Sequence, residues 1–191
     1  LRQTCLLLSF LLLALPGGFA QKPIKDLKPT VILISLDGFR YDYLDKYHPP
    51  TLNALAKGGV RAKWMIPSFP TKTFPNHYTI ATGLYPEHHG IVENNIRDFG
   101  VTFTLGNRDE VQNSRWWLGE PIWVTAEKQN VRSASYFFVG TEAEIMGMRP
   151  SIWKQYDRKI PNIERVDTVL SWLKKNKKER PRMITMYFSD T

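Results

Sequence analysis

Cysteine is nearly absent from this 191-residue chain: Cys5 stands alone. One cysteine excludes an internal disulfide framework and any cysteine-rich zinc site. Internal repeats and low-complexity linkers are also missing, and there is no helix-turn-helix, RNA-binding or zinc-finger pattern. Nothing beyond bulk charge therefore points to nucleic-acid recognition, and no specific nucleic-acid binding is expected. The one long apolar run, over residues 5–15, is too short for a comfortable transmembrane span. What remains is ordinary globular material: 42% hydrophobic, 13% aromatic and 23% charged residues. That composition excludes wholesale disorder, collagen and coiled coil. The length bounds the chain to one domain, or one domain plus a tail.

The amino terminus reads as a targeting segment. Arg2 precedes the apolar run, Pro16-Gly17-Gly18 breaks it, and Gly18 and Ala20 are small residues at −3 and −1 of a cleavage site. This predicts a secretory signal peptide over residues 1–20 and export, periplasmic or extracellular. A buried apolar helix is the alternative. If cleavage occurs, the mature chain has no cysteine. The chain opens on Leu1 rather than Met and stops at Thr191 in mid-pattern, so a fragment is expected. Lys and Arg (26) exceed Asp and Glu (18), for a net charge of +8. Much of the excess lies over 174–180. That stretch suits the solvated carboxyl end of a helix, or, as the sharper alternative, attraction of anionic substrates.

The pattern along the chain is strand, helix, strand. Val31 to Leu36 is a continuous aliphatic run that suits a strand buried on both faces. Thr51 to Lys57, followed by Gly58-Gly59, reads as a helix with a glycine cap. Val60 to Ile66 is a second strand candidate, and Asn76 to Thr82 a helix ending at Gly83. Residues 93–120 show no clear period. Pro121 to Gln129 reads as a short helix, and Ser133 to Val139 as a strand. A helix capped by Asn162 would set Ile163, Val166, Val169, Leu170 and Leu173 on one face. Met183 to Phe188 is a further apolar strand. Strands alternating with helices predict an α/β fold with a mostly parallel central sheet flanked by helices.

Ligands in such sheets bind beyond the carboxyl ends of the strands. Asp37 and Asp190 fall at such ends. Asp37, followed by Gly38, is placed to bind a cation, with a turn-forming Asp-Gly pair as the plain alternative. Thr73, two residues before Pro75, falls around a helix N-cap, where a phosphate would be welcome; a simple cap is the competing reading. Its hydroxyl needs a base or a metal to act as a nucleophile. Asn94 could donate to a phosphoryl oxygen. His77, His88 and His89 suit surface or supporting positions better than one tetrahedral centre, and Trp116, Trp117 and Trp123 suit the core or a wall.

Taken together, these segments resemble one family. Residues 31–40 (VILISLDGFR), 70–78 (PTKTFPNHY), 82–94 (TGLYPEHHGIVEN), 119–126 and 140–147 are similar to the nucleotide pyrophosphatase/phosphodiesterases of the alkaline phosphatase superfamily. The likeness runs over roughly 30–191. It implies an alkaline-phosphatase-like fold, truncated here, with 21–191 as the N-terminal part of a catalytic domain. The implied activity is zinc-dependent hydrolysis of phosphodiester or pyrophosphate bonds in a small-molecule substrate, with two Zn²⁺. Asp37 and Thr73 would be metal ligands, Thr73 also the nucleophile, and Asn94 the holder of a phosphoryl oxygen. Phe74, Leu105 and Tyr156 would line the substrate pocket. Phe138-Val139 replaces a Trp-Pro pair common in relatives, which leaves lysophospholipid or choline-phosphate diesters open as substrates. Residues 187–191 match the start of a second metal-ligand block whose Asp would be the next residue, so Asp190 is expected to be its neighbour. The remaining ligands of both metals would then lie beyond Thr191, and the fragment alone should be inactive. The competing readings are a phosphomonoesterase or sulfatase-like relative and a catalytically dead binding homologue.

Overall fold

A computed structural model of the protein describes residues 28–189. The expected signal peptide and Asp190 lie outside the described residues. In chain order the elements are β1 (Val31–Leu36), α1 (Tyr43–Tyr47), α2 (Pro50–Gly58), α3 (Thr73–Thr82), α4 (Pro86–His89), β2 (Ile96–Asp98), β3 (Val101–Phe103), α5 (Arg108–Gln112), α6 (Ile122–Lys128), β4 (Ser133–Tyr136), β5 (Ile152–Lys154), α7 (Asn162–Leu173) and β6 (Met183–Phe188). A 3₁₀ turn spans Ser114–Trp116.

The central sheet has the order β1-β6-β4-β5, and every pairing in it is parallel. β4 and β6, in its middle, are buried along their whole length. β6 (MITMYF) is nearly all apolar, as suits a strand covered on both faces, whereas β4 (SASY) fills the same setting largely with small residues, its Ser135 hydroxyl bonded to Thr141. A separate two-stranded hairpin, β2-β3, and α5 occupy the stretch that shows no period in sequence. The core gathers under the sheet around Tyr78, Phe103, Trp117, Trp123 and Phe138. Trp116, Trp117 and Trp123 are therefore core aromatics: Trp117 lies edge-on to Tyr78 and Phe103, Trp116 is tilted against Phe103, and Trp123 is tilted against Tyr78.

Several expected elements differ. Val60–Ile66 forms no strand and stays exposed. A strand needs a partner for its N–H and C=O groups, and among the described residues none lies alongside it. The strand expected to reach Val139 ends at Tyr136. There Phe137 takes φ 65° and Gly140 φ 91°, turning the chain over the core. A Cβ on Gly140 would stand 3.2 Å from both the Tyr78 and Trp117 rings. On α7 the buried face is Arg165, Val169, Trp172 and Leu173. Ile163 and Val166 are exposed instead. The buried Arg165 guanidinium donates to the Ile160 and Tyr187 carbonyls and lies 5.0 Å from the Phe137 ring centre. A charge so partnered can replace an aliphatic side chain in the face.

Candidate active site

β1 ends where Asp37 N–H donates to the Phe188 carbonyl at 2.9 Å. This bond extends the β1-β6 ladder by one residue and places the Asp37 carboxylate at the sheet's carboxyl edge. α3 begins opposite it. Lys72 is its N-cap and Thr73 its first residue, so the hydroxyl sits at the helix mouth, one position further in than expected. No side chain of the N-cap itself closes the helix. Asn94 does so from outside, its Oδ1 accepting the Phe74 N–H at 2.9 Å. An N–H can only donate, so the Asn94 oxygen faces α3 and its amide nitrogen is left to donate elsewhere.

Thr73 Oγ1 donates to Asp37 Oδ2 at 3.1 Å, and the Tyr187 hydroxyl donates to the same oxygen at 2.8 Å. Thr73, Asp37 and Asn94 thus meet at one rim. Two oxygen ligands at about 2.0 Å from a tetrahedral zinc stand about 3.3 Å apart. The Asp37–Thr73 separation therefore suits a shared cation. Among the described residues, no three His, Cys, Asp or Glu side chains gather. Zinc sites have three or four protein ligands, so these two oxygens alone would make an incomplete shell.

Behind Thr73 lies a cavity of about 130 Å³ whose lining includes Phe74, Leu105, Arg108, Phe137, Glu142 and Tyr156. The three residues expected to line a substrate pocket are brought together here, in a cavity that Thr73 and Tyr187 also line. Glu142 organises one wall. Its carboxylate pairs with Arg108 and accepts the Tyr156 N–H. Local sequence gave no sign of the Arg108–Glu142 pair, since the two residues stand 34 positions apart.

The histidines divide. His88 is exposed, whereas His77 and His89 are buried. Burial pushes the His77 imidazole below its ordinary range, against the opposing pull of the Thr73 carbonyl and the Asp37 carboxylate. Burial likewise lowers His89. His89 Nδ1 accepts the Ile91 N–H at 3.2 Å, so its proton sits on Nε2, 3.0 Å from Thr79 Oγ1. His77 meets Thr73 through the backbone carbonyl and His89 meets Thr79, so both rings support the site's frame.

Comparison with known proteins places the chain in a family. The family model described as type I phosphodiesterase / nucleotide pyrophosphatase matches residues 31–191. A venom phosphodiesterase of Crotalus durissus collilineatus is 46% identical over 179 residues, 92% of this chain and 21% of its own. Human ectonucleotide pyrophosphatase/phosphodiesterase family member 1 is 45% identical over 179 residues, 92% of this chain and 18% of its own. The chain therefore spans about a fifth of the length of the curated relatives it matches. Among solved structures, murine ectonucleotide pyrophosphatase/phosphodiesterase 5, an inactive Thr-to-Ala variant in complex with AMP, superposes with a TM-score of 0.79 at 31% identity. That match covers 85% of this chain and 43% of the other. The human counterpart gives 0.76 at 34% identity, covering 84% and 43%. The chain belongs to the type I phosphodiesterase / nucleotide pyrophosphatase family.

Proposed function

We propose that this chain carries the nucleophile and half of the substrate cradle of a zinc-dependent phosphodiesterase acting on nucleotides or related diesters. The observation that carries the reading is the 3.1 Å contact between Thr73 Oγ1 and Asp37 Oδ2 at the mouth of α3. The Thr73 proton is directed at Asp37, which leaves an oxygen lone pair for phosphorus. Attack forms a Thr73 Oγ1–P bond and expels the leaving alcohol or phosphate; water later cleaves that ester. Asn94 is held by Phe74 N–H so that its amide nitrogen donates to a phosphoryl oxygen as charge develops. Phe74 and Tyr156 offer ring faces to a planar group in the cavity behind Thr73. The AMP named for the murine relative supports a nucleotide there.

Two zinc ions are part of this proposal. Asp37 and Thr73 would hold one of them, with further ligands outside the described residues. The ion supplies a lowered hydroxyl pKa, which makes a threonine competent near neutral pH. Export is proposed on the N-terminal pattern, and amino-terminal sequencing of secreted protein should begin at Gln21. The full-length protein, purified with zinc, should cleave the nitrophenyl ester of thymidine monophosphate faster than nitrophenyl phosphate. Thr73→Ala should lower kcat by about 10³-fold or more, the scale of losing an activated nucleophile. A loss under tenfold would remove Thr73 from the role, and a faster rate on the monoester would favour a phosphomonoesterase.

A further inference from the structure

Among the described residues, His77 is a buried side chain that bridges the strand leading to Asp37 and the helix turn bearing Thr73. Its Nδ1 lies 2.7 Å from the Thr73 carbonyl and its Nε2 2.6 Å from Ser35 Oγ. The carbonyl can only accept, so Nδ1 carries the proton and donates. In the neutral ring Nε2 is then the acceptor, and the Ser35 hydroxyl donates to it. The ring is wedged edge-on between Phe138, at 5.6 Å, and Tyr187, at 5.1 Å. Tyr187 is the residue whose hydroxyl holds Asp37. Ser35 lies two residues before Asp37 on β1, paired with Tyr187 across the ladder. The imidazole thus fixes the distance between the two chain segments whose side chains meet at 3.1 Å.

We propose that Ser35 and His77 form a positioning clamp that sets the Thr73 hydroxyl against Asp37, an assignment that rests on Thr73 being the nucleophile. Misplacing a reacting atom by about 1 Å costs on the order of a hundredfold in rate. The clamp therefore acts on kcat; His77 does not itself line the substrate cavity built from Phe74, Leu105 and Tyr156, and meets it through the Phe138 and Tyr187 rings.

The test uses the full-length, zinc-loaded protein with Ser35→Ala, His77→Asn, His77→Ala and the Ser35→Ala/His77→Ala double variant. An asparagine amide overlays Nδ1 and keeps the donor to the Thr73 carbonyl, so His77→Asn is the partial rescue. Expected are kcat losses of about threefold to tenfold for Ser35→Ala and His77→Asn, and about thirtyfold to a hundredfold for His77→Ala. KM for the nitrophenyl ester and AMP affinity by calorimetry should stay within about twofold, and the double variant should match His77→Ala, because neighbours in one network are not additive. Unchanged kcat in Ser35→Ala and His77→Asn would overturn the clamp, as would independent, multiplying losses in the double variant. A loss appearing in KM and AMP affinity instead of kcat would overturn it as well. Thr73→Ala, run alongside, separates the two claims. If it abolishes turnover while the His77 variants keep kcat, the clamp alone fails; if it retains turnover, the nucleophile assignment fails first.

Discussion

Residues 28–67 contain no buried side chain, whereas the stretch from Ser68 to Phe188 supplies the whole described core. The first region is held to the second by the β1-β6 ladder and by a few side chains: Asp37 to Thr73 and Tyr187, and Ser35 to His77. Asp37 belongs to the thinly packed region and Thr73 to the densely packed one. The candidate site is therefore the seam between them. Its geometry depends on hydrogen bonds across that seam more than on burial of apolar area around Asp37.

This contrast can be broken by stability measurements on the 191-residue chain. Trp123 is fully buried, and Trp123→Ala should cost about 3–5 kcal/mol in denaturant unfolding. Next comes Glu127, whose carboxylate accepts the Ser133 N–H and hydroxyl and the Ser151 N–H. Burial raises its pKa, but these bonds outweigh it and hold the group below its ordinary value. Glu127→Ala strands those donors and should cost about 1–3 kcal/mol. Smallest is Ile34→Ala on β1, 55% exposed, which should shift stability by about 0.5 kcal/mol or less. A loss from Ile34→Ala as large as that from Trp123→Ala would erase the distinction between the regions.

Acid sharpens it further. His89 has a lowered pKa in the folded state, so the unfolded chain binds a proton that the folded one resists. Its contribution is complete above the unfolded value of about 6.5 and fades as pH falls towards the folded one. Protonation would set an N–H at Nδ1 against the Ile91 N–H. Melting temperature should drop between pH 7 and pH 5, and His89→Gln should flatten that slope. An equal slope in both proteins would remove His89 as its source.

Much of the sheet was legible because β1 and β6 are unbroken apolar runs; β6 is buried along its length, whereas β1, at the end of the described sheet, has no buried residue, so the expectation that it is covered on both faces does not hold. Asp37 and Thr73 stood out because one follows β1 and the other opens α3, and Asn94 because it ends a distinctive motif. Other features have no local signal. The buried Arg165 reads as a solvated charge until its carbonyl and aromatic partners, from 5 to 28 residues away, are in view. Val60–Ile66 reads as a strand because propensity cannot say whether a partner strand exists. The role of His77 depends on Ser35, 42 residues earlier. Spacing along one helix could not reveal it.

The identity of the atom that attacks phosphorus is the central question. Acid-quenched single turnover of the full-length protein with a radiolabelled nucleotide diester, followed by peptide mass spectrometry, reads this directly. The mass of one nucleoside monophosphate should be esterified to Thr73 and should vanish in Thr73→Ala. An ester on another side chain would contradict it, as would turnover in Thr73→Ala at the unmodified rate.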